Sequence, residues 1–240
     1  MTETVLTYRF GAICDTYTIT YQTELTDSSV WAGNTSGSYE NSVKLSPGGG
    51  VKKSTTSSTQ KVSPTVISKD GVSYDYATHE LTWSVKVNES QVPLTGVVVT
   101  DPLTGNGLDD FDLDESSIQV DGASIADPYS YTYDEDSKLL IVNLGDLNGA
   151  DLASRTKTIT FTMKLNKTGA DYDEYFGQNG AKTITNEATL KSDQNPSTKD
   201  KGTQDIKNAL VDKAGYYTSG KAYIDWEEYE GRDCCCGLDL

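Results

Sequence analysis

Four landmarks of this 240-residue chain occur twice, in the same order and about 140–145 residues apart, which limits how many complete folding units it can hold. Thr16-Tyr-Thr-Ile-Thr-Tyr21 recurs as Thr156-Lys-Thr-Ile-Thr-Phe161, and Tyr39-Glu-Asn-Ser-Val-Lys-Leu45 recurs as Ile184-Thr-Asn-Glu-Ala-Thr-Leu190. Lys69 leads to Trp83 through a Gly-, Tyr- and Asp-rich stretch, as Lys213 leads to Trp226. One complete copy therefore sits between two partial ones. Residues 1–46 are expected to be the end of a preceding repeat, 62–193 the complete repeat, and 208–240 the opening of a following one. The segment 47–61, with Ser46-Pro-Gly-Gly-Gly50 and Ser54-Thr-Thr-Ser-Ser-Thr59, has almost nothing apolar to bury and is expected to be a flexible linker. Residues 194–207, which contain Asn195-Pro196 and mixed charge, are expected to be a second linker.

Within the complete copy the apolar period is two. Leu81, Trp83, Val85 and Val87 alternate with polar residues, as do Ile159, Phe161, Met163 and Leu165, so each run is a strand with one buried face. Further strands are expected at 65–68, 96–100, 117–120, 139–144 and 183–191, with turn signals at Asp70-Gly71, Asp121-Gly122 and Asn148-Gly149. The 30 Thr, 23 Ser and 15 Tyr suit half-buried strands better than helices. The expected fold is all-β, an immunoglobulin-like β-sandwich repeat in one complete copy flanked by two partial copies.

Charge and cysteine content narrow the function classes. With 20 Lys+Arg against 36 Asp+Glu the net charge is -16, which repels nucleic-acid phosphates and anionic headgroups, so neither is an expected partner. No run approaches the ~18 apolar residues of a membrane span, so no membrane insertion is expected. The body between Cys14 and Cys234 has no cysteine, so disulfides are not its staple. The run Cys234-Cys-Cys236 lacks the spacing of a zinc site and follows Glu227-Glu-Tyr-Glu-Gly-Arg-Asp233, which departs from the repeat; a truncated or frame-shifted end is expected there.

Lys69, the run Leu81-Thr-Trp-Ser-Val-Lys-Val-Asn88, then Leu94-Thr-Gly-Val-Val-Val-Thr-Asp-Pro-Leu103, Ser117-Ile-Gln-Val120 and Thr185-Asn-Glu-Ala-Thr-Leu190 follow one another in an informative order. Together they resemble the collagen-adhesin type of domain found in surface proteins of Gram-positive bacteria. The resemblance implies a self-formed isopeptide bond between Lys69 on the first strand and Asn186 on the last, promoted by Asp101. Asn41 holds the Asn186 position in the preceding copy and Lys213 the Lys69 position in the following one. A Lys amine is nucleophilic only when neutral, a buried carboxylic acid can polarise an Asn carbonyl, and the fold supplies proximity. Read singly, Lys69, Asp101 and Asn186 are an exposed strand lysine, a turn residue before Pro102 and a strand cap.

Other constellations are weaker. Asp110, Asp112 and Asp114 begin like a calcium loop, but its sixth position is Glu115 rather than Gly and its twelfth Asp121 rather than Glu. With Asp109 they are expected to form a solvated acidic loop. His79 stands alone and is expected in a surface turn. No cofactor and no metal is expected, and no turnover enzyme. The resemblance implies an extracellular, wall-attached adhesin whose partner is a host matrix protein such as collagen, with targeting and anchoring segments lying outside these residues. The alternative is a stalk repeat with no ligand of its own.

Overall fold

The computed structural model describes residues 6–11, 16–47, 52–167, 171, 174, 175 and 181–207, and gives 211–217 and 224–230 as backbone. A short helix α1 (Ser28–Trp31) precedes β1 (Gly37–Leu45), which pairs antiparallel with β2 (Ser54–Val62). The central unit follows as β3 (Ile67–Asp75), β4 (Glu80–Val87), β5 (Leu94–Pro102), β6 (Phe111–Val120) and β7 (Ala123–Ser124). It continues as β8 (Ser130–Asp134), β9 (Leu139–Leu147), β10 (Lys157–Leu165), β11 (Ala181–Lys191) and β12 (Thr198–Lys207). A last antiparallel pair is β13 (Val211–Tyr217) and β14 (Ile224–Glu230).

The central strands form two five-stranded antiparallel sheets, in the orders β3-β4-β10-β6-β7 and β12-β11-β5-β9-β8. The alternation read from the sequence sets their inner faces. Leu81, Trp83, Val85 and Val87 on β4 and Ile159, Phe161, Met163 and Leu165 on β10 are all buried, with Phe161 opposite Trp83 across the ladder. The second sheet contributes Val97, Val99, Leu140, Val142, Leu144, Ile184, Ala188 and Leu190, so the core is the space between two such faces. The architecture is an immunoglobulin-like β-sandwich.

Several local expectations are corrected. Residues 194–207 are mostly strand rather than linker: β12 pairs with β11 along its whole length and buries Thr198, Gly202 and Ile206. Its apolar content is low because its inner face is Thr198, Asp200, Gly202, Gln204 and Ile206, of which only Ile206 is a large apolar residue, so composition hides it. Residues 47–61 likewise are not a linker throughout, because β2 occupies 54–62; it is exposed along nearly its whole length. Asp70-Gly71 is no turn but lies inside β3, at an irregularity in the pairing with β4 between Gly71 and Ser73. A Cβ on Gly71 would stand 2.6 Å from the Thr203 carbonyl oxygen, so this position needs glycine for close approach of β12 rather than for a bend. Asp121-Gly122 does turn the β6–β7 hairpin, with φ of 53° and 77°.

The acidic stretch is part turn, at Asp109 and Asp110, and part strand from Phe111 onward. Phe111 and Leu113 alternate with outward Asp112 and Asp114 in β6; Lys138 Nζ lies 3.2 Å from Asp112, and Lys167 Nζ 3.0 Å from Asp110. His79 sits in the turn between β3 and β4 at φ 60°, where its carbonyl accepts a hydrogen bond from the Leu165 amide at 2.9 Å. Cys14 and Cys234 to Cys236 lie outside the described residues, as does the side chain of Lys213.

Candidate functional site

Lys69, on β3, points inward because it shares the face of Ile67 in a strand of period two. Its side chain ends between two aromatic rings, with Nζ 5.4 Å from the Trp83 ring centre and 5.0 Å from that of Phe161. Asp101 comes from β5 in the facing sheet, one residue beyond Thr100, which pairs with Thr189 of β11. Asn186 lies on β11 with the same inward parity as Ala188 and Leu190. All three polar residues are buried, at 2%, 2% and 1% exposure, so the sandwich brings together the trio picked out in the sequence.

Lys69 Nζ contacts Asp101 Oδ2 directly, in a charge-paired hydrogen bond that bridges the two sheets. Burial pushes the Lys69 amine below its usual range, against the opposing pull of the Asp101 carboxylate and, more weakly, Asp200. Burial likewise pushes the Asp101 carboxyl above its usual range, opposed by Lys69 and then by Asn186. Both shifts favour a neutral amine beside a neutral acid.

The Asn186 amide is the anomaly. Neither its nitrogen nor its oxygen has a hydrogen bond of ordinary geometry, and Asp101 Oδ1 is equally bare. Buried Asn88 shows the normal state: its amide donates to the Val92 carbonyl at 2.8 Å and the Arg155 carbonyl at 3.2 Å and accepts from the Val92 amide at 3.1 Å. Leaving a buried polar group unpaired costs about 1–3 kcal/mol. Asn186 has no well-formed hydrogen bond beside the one buried amine among the described residues, and its polar neighbour is the Asp101 carboxyl whose pKa it helps to hold down.

Sequence reasoning missed two parts of the site. Asp200, on β12, accepts a hydrogen bond from the Lys69 backbone amide at 2.8 Å and so ties the edge of one sheet to the edge of the other. It lies in a stretch whose composition resembles a linker, and its only signal is that it shares a period-two face with Thr198, Gly202 and Ile206. Trp83 and Phe161 are core residues, as their alternation predicts, and they also wall the amine. Asn41, the counterpart of Asn186, is exposed on β1 and donates to the Tyr21 hydroxyl.

No protein-family model and no curated protein matches this sequence. Among solved structures, the chain is similar to a collagen-binding domain from a Staphylococcus aureus adhesin at 13% identity and a TM-score of 0.40, over 61% of this chain and all of that one. It is also similar to an Enterococcus faecalis surface protein described as binding its ligands by a collagen hug, at 12% identity and a TM-score of 0.39. That match covers 71% of this chain and 60% of the other. A third is the major pilin SpaD of Corynebacterium diphtheriae, at 13% identity and a TM-score of 0.37, over 68% of this chain and 40% of the pilin.

Proposed function

We propose that the central sandwich is a self-crosslinking unit of a Gram-positive surface protein of the adhesin type, in which Lys69 and Asn186 join in an isopeptide bond promoted by Asp101. The observation that carries this reading is the unpaired Asn186 amide buried beside the Lys69–Asp101 pair. Within the pair, proton transfer from the ammonium to the carboxylate gives a neutral amine and a neutral acid, the state that burial favours for both. The protonated Asp101 donates to the Asn186 carbonyl oxygen and polarises it. The lone pair of Lys69 Nζ attacks Asn186 Cγ, forming a C–N bond. Asp101 relays a proton from the attacking nitrogen to the amide nitrogen, the C–Nδ2 bond breaks, and ammonia leaves. The product is an amide that joins β3 to β11 across the core, and the acid is regenerated.

Intact mass tests this directly. The wild-type chain is expected to be one ammonia lighter than its sequence, while Lys69→Ala, Asn186→Ala and Asp101→Ala variants are expected at full mass. A wild-type chain of unshifted mass after prolonged incubation overturns the crosslink.

The resemblance supports a ligand such as collagen, and one observation favours the spacer reading instead. The segment expected as a flexible connector before the sandwich is partly strand, since β2 ends at Val62 only a few residues before β3 begins at Ile67. Clamping a fibre between neighbours needs a connector that lets them move apart and close. A solid-phase assay with immobilised collagen separates the readings: saturable binding supports the adhesin head, and its absence supports the spacer.

A further inference from the structure

The segment just before β1 does not stay with its own hairpin. Trp31 packs partly buried against the central core, Ala32 is fully buried within it, and the Ser28 hydroxyl donates to the Gln194 carbonyl at 3.0 Å. Asn34 closes the contact as a clamp. Its Oδ1 accepts from the Val66 amide at 2.8 Å and the Ile67 amide at 3.3 Å, and its Nδ2 donates to the Ile67 carbonyl at 2.7 Å. Its side-chain amide thus pairs with the backbone where β3 begins. Gly33 sits so close to the β11–β12 turn that a Cβ there would stand 2.8 Å from the Asn195 amide nitrogen. The Asp27 carboxylate holds the one-turn helix by accepting from the Ser29 amide at 3.0 Å.

By the sequence period this segment belongs to the preceding copy. Trp31 and Asn34 precede the hairpin β1–β2, and Phe176 and Asn179, each 145 residues later, precede the hairpin β11–β12. The preceding copy therefore reaches the central sandwich at two places. One is the covalent path from Val62 to Ile67, beside which the Ser36 and Ser63 hydroxyls meet at 2.9 Å. The other is the docked segment Ser28 to Asn34.

We propose that residues 28–34 are a docking tongue by which one repeat locks onto the first strand and the last turn of the next. A unit held by one short link can swivel about it. A unit whose link is clamped at Val66 and Ile67 and which is also held at the turn 192–197 cannot, so the tongue fixes the angle between neighbours and makes an array behave as a rod. The surface it fits is the open end of a following sandwich, built from the start of the first strand and the turn at 192–197. The proposal does not depend on the Lys69–Asn186 bond.

Hydrogen exchange on the full 240-residue chain tests the tongue, comparing wild type with Asn34→Ala and with Asn34→Asp, which keeps the acceptor oxygen but loses the donor. In wild type the Val66 and Ile67 amides are expected to be protected. In Asn34→Ala they are expected to exchange about ten-fold faster, in line with losing one net hydrogen bond, with Asn34→Asp between the two. Protection of β4 and β10 is expected to stay unchanged, and backbone relaxation is expected to show β1–β2 reorienting independently of the sandwich only in Asn34→Ala. Unchanged protection at 66–67 in Asn34→Ala overturns the proposal. So does an equal loss across β4 and β10, which marks the segment as ordinary core of the sandwich, or a hairpin that already tumbles separately in wild type.

Discussion

Two buried asparagines in one sandwich have opposite surroundings, and the difference is the strongest residue-scale sign of chemistry in this molecule. Asn88, at φ 62°, uses its side chain to organise the β4–β5 connection, whereas neither amide atom of Asn186 makes a hydrogen bond of ordinary geometry, beside a buried acid and amine. The raised pKa of Asp101 makes a prediction with a definite sign. In a Lys69→Met background no crosslink forms and the lysine that holds the acid down is gone, so burial sets its shift against the weaker opposing pull of Asn186. The unfolded chain releases the Asp101 proton near the ordinary value of about 3.9, while the folded chain keeps it to higher pH. Stability contributed by this group is therefore present below that value and lost as pH rises toward the folded pKa. Against a Lys69→Met/Asp101→Asn reference, the Lys69→Met variant is expected to lose up to about 1.4 kcal/mol per pH unit in that window. Denaturant melts of both variants across the range read the difference, and a flat difference sinks the assignment of a buried acid at 101.

At the scale of elements, β12 is what makes the site closed. Gly71 on β3 and Gly202 on β12 let the edges of the two sheets meet: a Cβ on Gly202 would stand 2.9 Å from the Lys69 carbonyl oxygen and 2.9 Å from the Asp70 backbone. Gly202→Val is thus expected to destabilise the fold by about 1–3 kcal/mol, the range for overpacking, and to slow the loss of ammonia by moving β3 away from β11. A thermal melt and a mass time course measure both, and a variant that melts and matures like wild type contradicts the close approach. The strands that alternate strictly, β4 and β10, were legible in the sequence because each inward position is large and apolar. Strand β12 was not, since its inner face carries Thr198, Asp200, Gly202 and Gln204 beside a single large apolar residue, Ile206. The trio itself was legible only through order and repetition, because Lys, Asp and Asn taken singly are ordinary surface residues.

For the whole molecule, the strands beyond the sandwich repeat its own hairpins. β1–β2 matches β11–β12, with Asn41 facing Ser58 as Asn186 faces Gly202, and β13–β14 matches β3–β4, with Lys213 facing Glu228 as Lys69 faces Val85. The period was readable from the start, but the point at which one copy ends was not, because β12 and β2 both look like linkers by composition. The structural unit runs through Lys207, and a chain ending at 193 removes an edge strand rather than a tail. That shorter chain loses Ile206 from the core, the Asp200 acceptor of the Lys69 amide, and the partner of β11 from Ala181 to Leu190. Removing a single large core side chain costs about 2–5 kcal/mol, against a total stability of about 5–15 kcal/mol for a domain, and the unpaired edge of β11 adds to it. Residues 1–207 are accordingly expected to melt cooperatively near the temperature of the full chain and to mature to the ammonia-loss mass, while 1–193 is expected to show no cooperative transition and full mass. Calorimetry and mass spectrometry on the two chains decide the matter: equal melting of both places the end of the unit before β12, and failure of 1–207 places it beyond.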